Sequence, residues 1–145
     1  MSIRVATPED VPEMIEIRLS VRQNTLSEAG IAWLTHERVE RSITEQGRGW
    51  VADADGELQG FCIALRADAS IWAMFVRPRA EDQGIGKQLL SRAAEWLFQT
   101  GAEVATVTTD LGTRAAGFYA AVGWQQSAVN DEGEVTFQLH RPPGP

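Results

Sequence analysis

The most informative stretch of this chain is MFVRPRAEDQGIGKQLL, which spans residues 74–90. It starts in an apolar strand, Ser70 to Val76, and leads through a loop to two glycines at the opening of an amphipathic helix. The first amides of a helix have no partner within it and carry the positive end of its dipole. Glycine lets an anion approach such amides without meeting a Cβ atom. The stretch therefore predicts a phosphate site at Gly84 and Gly86.

Two common nucleotide-binding motifs do not fit this loop. A P-loop needs a glycine five residues before the Gly-Lys pair and Ser or Thr after the lysine, but Glu81 and Gln88 stand there. A dinucleotide fingerprint needs a third glycine three residues after Gly86, and that residue is Leu89. An unrelated nucleotide-binding domain is therefore disfavoured. A helix entrance that binds nothing remains the alternative for the glycines taken alone.

The composition is that of a globular domain with an acidic balance. Of 145 residues, 43% are hydrophobic and 23% are charged, and 13 basic against 20 acidic residues give a net charge of −7. We expect one domain over residues 1–145, with 142–145 as a loose tail. The charge argues against binding to nucleic acid and favours a cationic partner.

Membrane, secreted and metal-binding classes are not expected. No apolar run approaches the ~20 residues that a membrane helix needs, and the N-terminus has no signal-peptide layout. The one cysteine, Cys62, cannot form an internal disulfide, so we expect a cytoplasmic protein. No Cys/His cluster has metal-ligand spacing, so we expect no metal.

Hydrophobic periodicity along the chain predicts strands that alternate with helices. A second helix is predicted from Ile31 to Gln46, where Gly47 and Gly49 would end it. Residues 53–56 are predicted to turn a hairpin. The predicted order is β-α-α-β-β-β-α-β-α-β-β, which implies an α/β fold with a mixed sheet and helices on both faces.

A second motif, GFYAAVGW at residues 117–124, follows one strand after the glycine loop. In order, the Arg-Pro strand end, the Gln-Gly-Ile-Gly helix start and this aromatic stretch resemble the GNAT superfamily of N-acetyltransferases, most closely from Phe75 to Trp124. The resemblance implies a central mixed, mostly antiparallel sheet flanked by helices. It also implies transfer of an acetyl group from acetyl-CoA to a primary amine.

The resemblance also implies where acetyl-CoA binds. In this family the strand before the glycine loop and the next strand splay apart, and acetyl-CoA lies in the gap, bonded to the open strand edge. The matching strand backbone is that of Phe75 and Val76. The pyrophosphate would lie on the loop amides of Gln83, Gly84, Ile85, Gly86 and Lys87.

This chain departs from the family pattern at two positions. The family normally has Arg or Gln three residues before the first of these glycines, where this chain has Glu81 followed by Asp82. Arg79 is a candidate for the missing cation. Gly112 stands where the family often has Asn, and Thr113 is a candidate cap for the helix that follows.

Tyr119, the only tyrosine in the chain, matches the family tyrosine that protonates the departing thiolate. A phenol has a pKa near ~10 and a thiol near ~8.5, which permits useful proton transfer. The alternative is an aromatic packing residue. The base that deprotonates the amine is not identified, because the strand Ser70 to Val76 carries no carboxylate or histidine.

Other residues are weaker candidates for the acceptor side. A base could come from the second helix, although each candidate there also fits a solvated position: His36, Glu37 and Glu40. Trp33 and Trp72 could line the acceptor pocket, with core packing favoured for Trp72. Cys62 could form an acyl intermediate, but its apolar strand favours a buried structural role. His140 is expected to be structural.

Two functions therefore remain open. The first is an N-acetyltransferase that uses acetyl-CoA and acts by direct attack of an unidentified amine, which could belong to a polyamine, an aminoglycoside or a protein lysine. The alternative is a GNAT-like sensor or interaction module that binds acyl-CoA without catalysis. Glu81, Gly112 and the missing base favour the module, and Tyr119 counts against it. Strand edges and five tryptophans make a homodimer plausible.

Overall fold

A computed structural model of the chain describes residues 1–20, 35–81 and 83–143, which form one sheet with helices on both faces. The strands are β1 Ser2–Val5, β2 Gly47–Ala54, β3 Glu57–Leu65, β4 Ser70–Val76, β5 Val104–Asp110, β6 Gln125–Val129 and β7 Glu134–His140. The helices are α1 Val11–Ser20, α2 His36–Thr44, α3 Ile85–Gln99 and α4 Arg114–Ala121. Short 3₁₀ turns lie at Pro8–Asp10 and Pro78–Ala80. This order confirms the predicted one.

The seven strands lie in the order β1-β2-β3-β4-β5-β7-β6. Neighbours are antiparallel except β4 and β5, which are parallel because α3 connects them. The predicted mixed, mostly antiparallel sheet is therefore confirmed.

A separate hydrophobic core fills each face of the sheet. On one face α1 and α2 pack over β2, β3 and β4, around Met14, Ile17 and Ile63. On the other face α3 packs over the centre of the sheet and α4 over β5 and β7. The amphipathic helix predicted after the glycine loop is α3, and its apolar residues at helical spacing are buried: Ile85, Leu89, Leu90, Ala93 and Leu97. Among the described residues, no helix is both long and apolar enough to cross a membrane.

The start of β2 corrects the sequence prediction. Gly47 and Gly49 were expected to end a helix, but they form the first residues of a strand that pairs with β3. A Cβ on Gly47 would lie 1.8 Å from the carbonyl oxygen of Ala64, so only glycine permits this approach of the two strands. The preceding helix, predicted from Ile31, begins at His36 with Thr35 as its cap, and residues 31–34 lie outside the described residues.

The predicted turns and caps around the remaining elements are present. Asp55 and Gly56 turn the β2–β3 hairpin with φ angles of 53° and 88°. The Thr113 hydroxyl accepts a hydrogen bond from the amide of Ala116 at 3.2 Å and caps α4. Pro142 and Pro143 are exposed, and residues 144–145 lie outside the described residues.

Candidate active site

Strands β4 and β5 separate soon after they begin. They pair only at Ser70 with Thr106 and at Ile71 with Val107. The rest of β4 pairs with β3 alone, and the rest of β5 pairs with β7 alone, within the part of the chain that the structure describes. A β-bulge leaves Trp72 without an opposite residue on β3, which adds twist to β4 at the point of separation. The result is a gap that opens toward the glycine loop.

The backbone of β4 presents polar groups to this gap at alternate residues. The amide of Arg77 donates to Gln59 of β3 at 2.8 Å, and the carbonyl oxygen of Phe75 faces Gly60 of β3. Because these odd-numbered positions point to β3, the even-numbered ones, Met74 and Val76, point into the gap. The backbone polar groups of Val76 and Met74 therefore face the gap, and those of Phe75 face β3.

Sequence comparison with a family motif did not single out Met74, because the motif fixes the strand but not its pairing register. The alternation along the strand shows that every second backbone group faces the gap, but only the pairing with β3 shows which set does so. The Met74 side chain lies on the α3 side of the sheet, where its sulfur is 3.5 Å from the Cβ position of Gly86.

The glycine loop opens helix α3 at the mouth of the gap. Gly84 is the N-cap residue with φ of 77°, a left-handed conformation that favours glycine. Gln88 donates to the Gly84 carbonyl at 3.2 Å, which is the first bond of the helix. The amides of Ile85, Gly86 and Lys87 therefore precede that ladder, as the first-turn amides of any helix do. They lie together at the positive end of the α3 dipole.

The two loop glycines have different reasons to be glycine. A Cβ on Gly84 would meet nothing within 4 Å, so the space beside its backbone is open. A Cβ on Gly86 would lie 3.4 Å from the ring of Phe118 and so would pack between α3 and α4. Open space beside Gly84 suits an approaching anion, whereas Gly86 serves close packing of the two helices.

The flanking loop residues are exposed, with the exception of Ile85. Gln83 and Lys87 lie at the surface, and Ile85 is buried under the loop and anchors it. Lys87 also lines a surface groove of about 430 Å³ that runs between α3 and the end of α4, past Ser91, Val122 and Trp124.

The charges around the loop are arranged differently from the expectation. Arg79 pairs with Glu57 at the start of β3, on the side of β4 away from the gap. Glu81 pairs instead with Arg114, the first residue of α4, with 2.9 Å between Oε2 and Nε. Glu81 follows β4 and Arg114 follows β5, so this ion pair crosses the mouth of the gap. Asp82 lies outside the described residues.

Tyr119 is buried in the core beneath the gap, at 3% exposure. Its ring contacts the rings of Phe118, Trp124 and Phe137, with centroids 5.5–6.2 Å apart. Burial raises the pKa of the Tyr119 phenol above its ordinary value, and the neighbouring Cys62 adds to the rise. The phenol is therefore protonated at neutral pH, which a proton donor requires.

Cys62 lies on β3 with no exposed surface. Burial raises the pKa of its thiol far above the ordinary value, so the reactive thiolate is not formed near neutral pH. This environment agrees with a structural role and not with an acyl-cysteine intermediate.

The residues proposed as a base are not gathered at the gap. His36 and Glu40 form a loose pair on α2, 3.8 Å apart; His36 and Glu37 are exposed, and Glu40 is half-buried. Helix α2 packs mainly on β2, α1 and β3. His140 is exposed at the end of β7. Trp72 packs against the core under α1, and Trp33 lies outside the described residues.

A pair of carboxylates that the sequence analysis did not single out lies at the open end of β5. Asp110 is directly opposite Glu134 in the β5–β7 ladder, so both side chains project from the same face of the sheet. Ala105 and Val107 of β5 point into the core with α3, so Asp110 lies on the opposite face, the one that carries α1. Only knowledge of the β5–β7 register could have revealed this pair.

Gly112 has φ of 79°, so the turn before α4 requires a residue in the left-handed conformation at the position where the family often has Asn.

Within the described residues, no three His, Cys, Asp or Glu side chains are grouped so that they could hold a metal ion.

Solved structures with this fold include two that contain coenzyme A or acetyl-CoA. The paiA N-acetyltransferase from Thermoplasma acidophilum, solved with coenzyme A, is 21% identical, with a TM-score of 0.82 over 97% of this chain and 100% of that one. The structure of yncA from Salmonella typhimurium, with its cofactor acetyl-CoA, is 20% identical, with a TM-score of 0.71 over 100% and 97%. The ribosomal-protein-S18-alanine N-acetyltransferase from Escherichia coli is 17% identical, with a TM-score of 0.75 over 96% and 92%.

These identities are low and establish the fold alone. The sequence itself matches the model of the acetyltransferase (GNAT) family over residues 16–124, which is more than half of the chain. That range includes the splayed strands, the glycine loop and Tyr119. The chain therefore belongs to the GNAT family of acetyltransferases.

Proposed function

We propose that this protein transfers the acetyl group of acetyl-CoA directly to a primary amine. The gap between β4 and β5 carries the proposal, because it opens onto the first-turn amides of α3 and lies beside Tyr119. Family membership adds the type of reaction.

The parts of acetyl-CoA fit distinct features of this gap. The open space beside Gly84 and the first-turn amides suit the diphosphate. The polar backbone of Met74 and Val76 suits the pantetheine arm and the thioester carbonyl, as an added strand would be bound. The acidic net charge of −7 does not oppose this, because binding depends on local amides.

In the proposed reaction the neutral amine attacks the thioester carbon, a C–N bond forms and the C–S bond breaks. The thiolate that leaves takes a proton from the phenol of Tyr119 and becomes the thiol of CoA. The proton lost by the amine passes to solvent, and solvent restores the phenol. Burial raises the pKa of Tyr119, which disfavours full proton transfer to the thiolate, so the phenol first stabilises the thiolate as a hydrogen-bond donor.

Charge supports a cationic acceptor. The net charge is negative, and Asp110 and Glu134 place two carboxylates on the face of the sheet opposite α3, next to the gap. This negative charge would attract a cationic amine such as a polyamine, an aminoglycoside or a protein lysine. The amine must be neutral when it attacks, so a base or a water chain is still required for an amine with a pKa near ~10.4.

The test is release of the CoA thiol from acetyl-CoA across a panel of amines: spermidine, an aminoglycoside, a lysine peptide and a peptide with a free N-terminus. Each amine is paired with its fully N-acetylated form, which has no amine left to accept the group. We expect thiol release with at least one amine and none with its acetylated control. Binding of CoA in a calorimeter without turnover on any amine would instead support the sensor or interaction module, which the uncharged strand Ser70–Val76 favours.

We further propose a reduced, cytoplasmic protein, since Cys62 is a buried free thiol. A homodimer stays a prediction. Strand β6 forms one edge of the sheet and all five of its residues are exposed, which leaves an edge on which a second copy could pair. Sedimentation at several protein concentrations measures the oligomeric state.

A further inference from the structure

We propose that Arg114 is a diphosphate-binding residue of this enzyme and that Glu81 holds its guanidinium in the ligand-free protein until acyl-CoA displaces it. The inference rests on the proposed function. It is carried by the ion pair across the gap, with 2.9 Å between Arg114 Nε and Glu81 Oε2.

Three cations are candidates to bind a diphosphate at the glycine loop: Arg79, Lys87 and Arg114. Position 81 would place a side chain beside the diphosphate three residues before Gly84, but here that side chain is a carboxylate. Arg79 pairs with Glu57 of β3, the strand that flanks β4 on the side away from the gap, and Lys87 lies on the flank of α3 beside a groove. Among the described cations, Arg114 is the one that an ion pair fixes to the loop itself.

The ion pair between Arg114 and Glu81 is weak. The side chains of Arg114 and Glu81 are 54% and 30% exposed, so water screens their attraction and such pairs contribute little net stability. A diphosphate offers more negative charge than one carboxylate and several oxygens in the geometry that a guanidinium binds bidentately. The exchange of Glu81 for diphosphate therefore favours the ligand.

The ion pair between Arg114 and Glu81 lies across the gap. Glu81 belongs to the loop after β4, and Arg114 begins the helix after β5, so the pair bridges the two strands whose separation forms the gap. A diphosphate on the α3 amides would lie where the Glu81 carboxylate repels it. Arg114 must therefore leave Glu81 before it can bind the diphosphate. The Glu81 carboxylate thus opposes binding of the ligand.

The proposed exchange predicts opposite changes in the Kd for coenzyme A when Arg114 and when Glu81 is replaced. Arg114→Gln should raise the Kd for coenzyme A about tenfold, the effect of losing one charge-assisted contact. Arg114→Lys should recover part of that loss. Glu81→Gln should lower the Kd about threefold, because it removes a carboxylate that both competes for Arg114 and repels the diphosphate. In the double variant the gain from Glu81→Gln should shrink, since no guanidinium is left to release.

The controls separate a specific contact from a general charge effect. Arg79→Gln removes the same charge from the neighbouring loop and should leave the Kd within twofold, since its side chain pairs with Glu57. Acetyl-pantetheine lacks the diphosphate, so its KM should be the same for Arg114→Gln and the unchanged protein. The Kd of Arg114→Gln should also depend less steeply on salt concentration.

Calorimetry with coenzyme A and urea unfolding of each variant carry out the test. If the unchanged protein binds coenzyme A and Arg114→Gln binds it equally well, this inference fails and the proposed function stands. If Glu81→Gln weakens binding as Arg114→Gln does, the exchange is wrong. If the unchanged protein does not bind coenzyme A at all, the proposed function fails first.

Discussion

The guanidinium of Arg77, in the residue after β4, lies 3.2 Å from the carboxylate of Glu13 in α1. The same carboxylate oxygen accepts from the amide of Leu58 at 2.8 Å, and Nε of Arg77 donates to the Leu58 carbonyl at 2.7 Å. Arg77 is 8% exposed. The network therefore ties the end of β4, from which the glycine loop departs, to α1 and β3.

We predict that Arg77→Met lowers the free energy of unfolding by ~2–4 kcal/mol, because it leaves the part-buried Glu13 carboxylate without its cation and the Leu58 carbonyl without the guanidinium donor. Urea unfolding measures the change. The control is Arg41→Met, since Arg41 pairs with Glu45 at 3.1 Å on the exposed face of α2. That variant should lose no more than ~0.5 kcal/mol. Equal losses in the two variants would show that the buried network has no special role.

Gly84 and Gly56 have similar conformations in different settings, with φ of 77° and 88° and open space at both Cβ positions. Replacement by alanine should cost each site a comparable ~1 kcal/mol of stability, because the left-handed region is unfavourable for alanine. Only Gly84→Ala should raise the Kd for coenzyme A, by about tenfold, since its Cβ would occupy the space that suits the diphosphate. Calorimetry compares the two variants at equal temperature. A similar Kd in both would refute the loop as the diphosphate site.

Local patterns in the sequence predicted much of this fold. The 3.6-residue spacing of apolar residues marked the buried side of α3, and turn residues marked the β2–β3 hairpin. Strand β4 was predicted with the bounds that the structure has, Ser70–Val76. These features depend on neighbours in the chain, so the sequence alone was sufficient.

Features that depend on strand register were not predictable in this way. The direction of the Phe75 carbonyl follows from its pairing with β3, and the Asp110–Glu134 pair follows from the β5–β7 register. The partner of Glu81 is 33 residues away, at the start of α4, since 114 − 81 = 33. Gly47 looked like a helix terminator because nothing local shows that Ala64 lies against it. Tertiary contacts decide each of these.

Tyr119→Phe removes one hydroxyl and keeps the ring that contacts Trp124 and Phe137. We predict that kcat falls about 10²-fold, within the usual contribution of a general acid, while the Kd for coenzyme A stays within twofold. Steady-state kinetics and calorimetry give the two quantities. The control is Cys62→Ala, which alters the same core but should leave kcat unchanged. An undiminished kcat in Tyr119→Phe would remove Tyr119 from the mechanism.

The same two buried groups predict a loss of stability at alkaline pH. Burial raises the pKa of both Cys62 and Tyr119 in the folded state, so the unfolded chain releases these protons first. Stability is then full below the unfolded pKa values and falls above them, starting near ~8.5 for the thiol and ~10 for the phenol. Each group contributes a slope of ~1.4 kcal/mol per pH unit there.

Urea unfolding between pH 7 and 11 tests this dependence. Cys62→Ala should remove the decline that starts near ~8.5, and Tyr119→Phe should remove the part that starts near ~10. An identical pH profile in all three proteins would mean that neither group is buried in its neutral form.

The opposed carboxylates of Asp110 and Glu134 predict a variant that gains stability and loses function. Like charges directly opposite in an antiparallel pair are destabilising, so Asp110→Asn should raise the free energy of unfolding by ~0.2–1 kcal/mol. If these carboxylates attract a cationic amine, the same change should raise its KM severalfold and leave the KM for acetyl-CoA unaltered. Asp131→Asn removes an equal charge from the β6–β7 turn and should do neither. Matching KM shifts in the two variants would assign the effect to net charge and not to this pair.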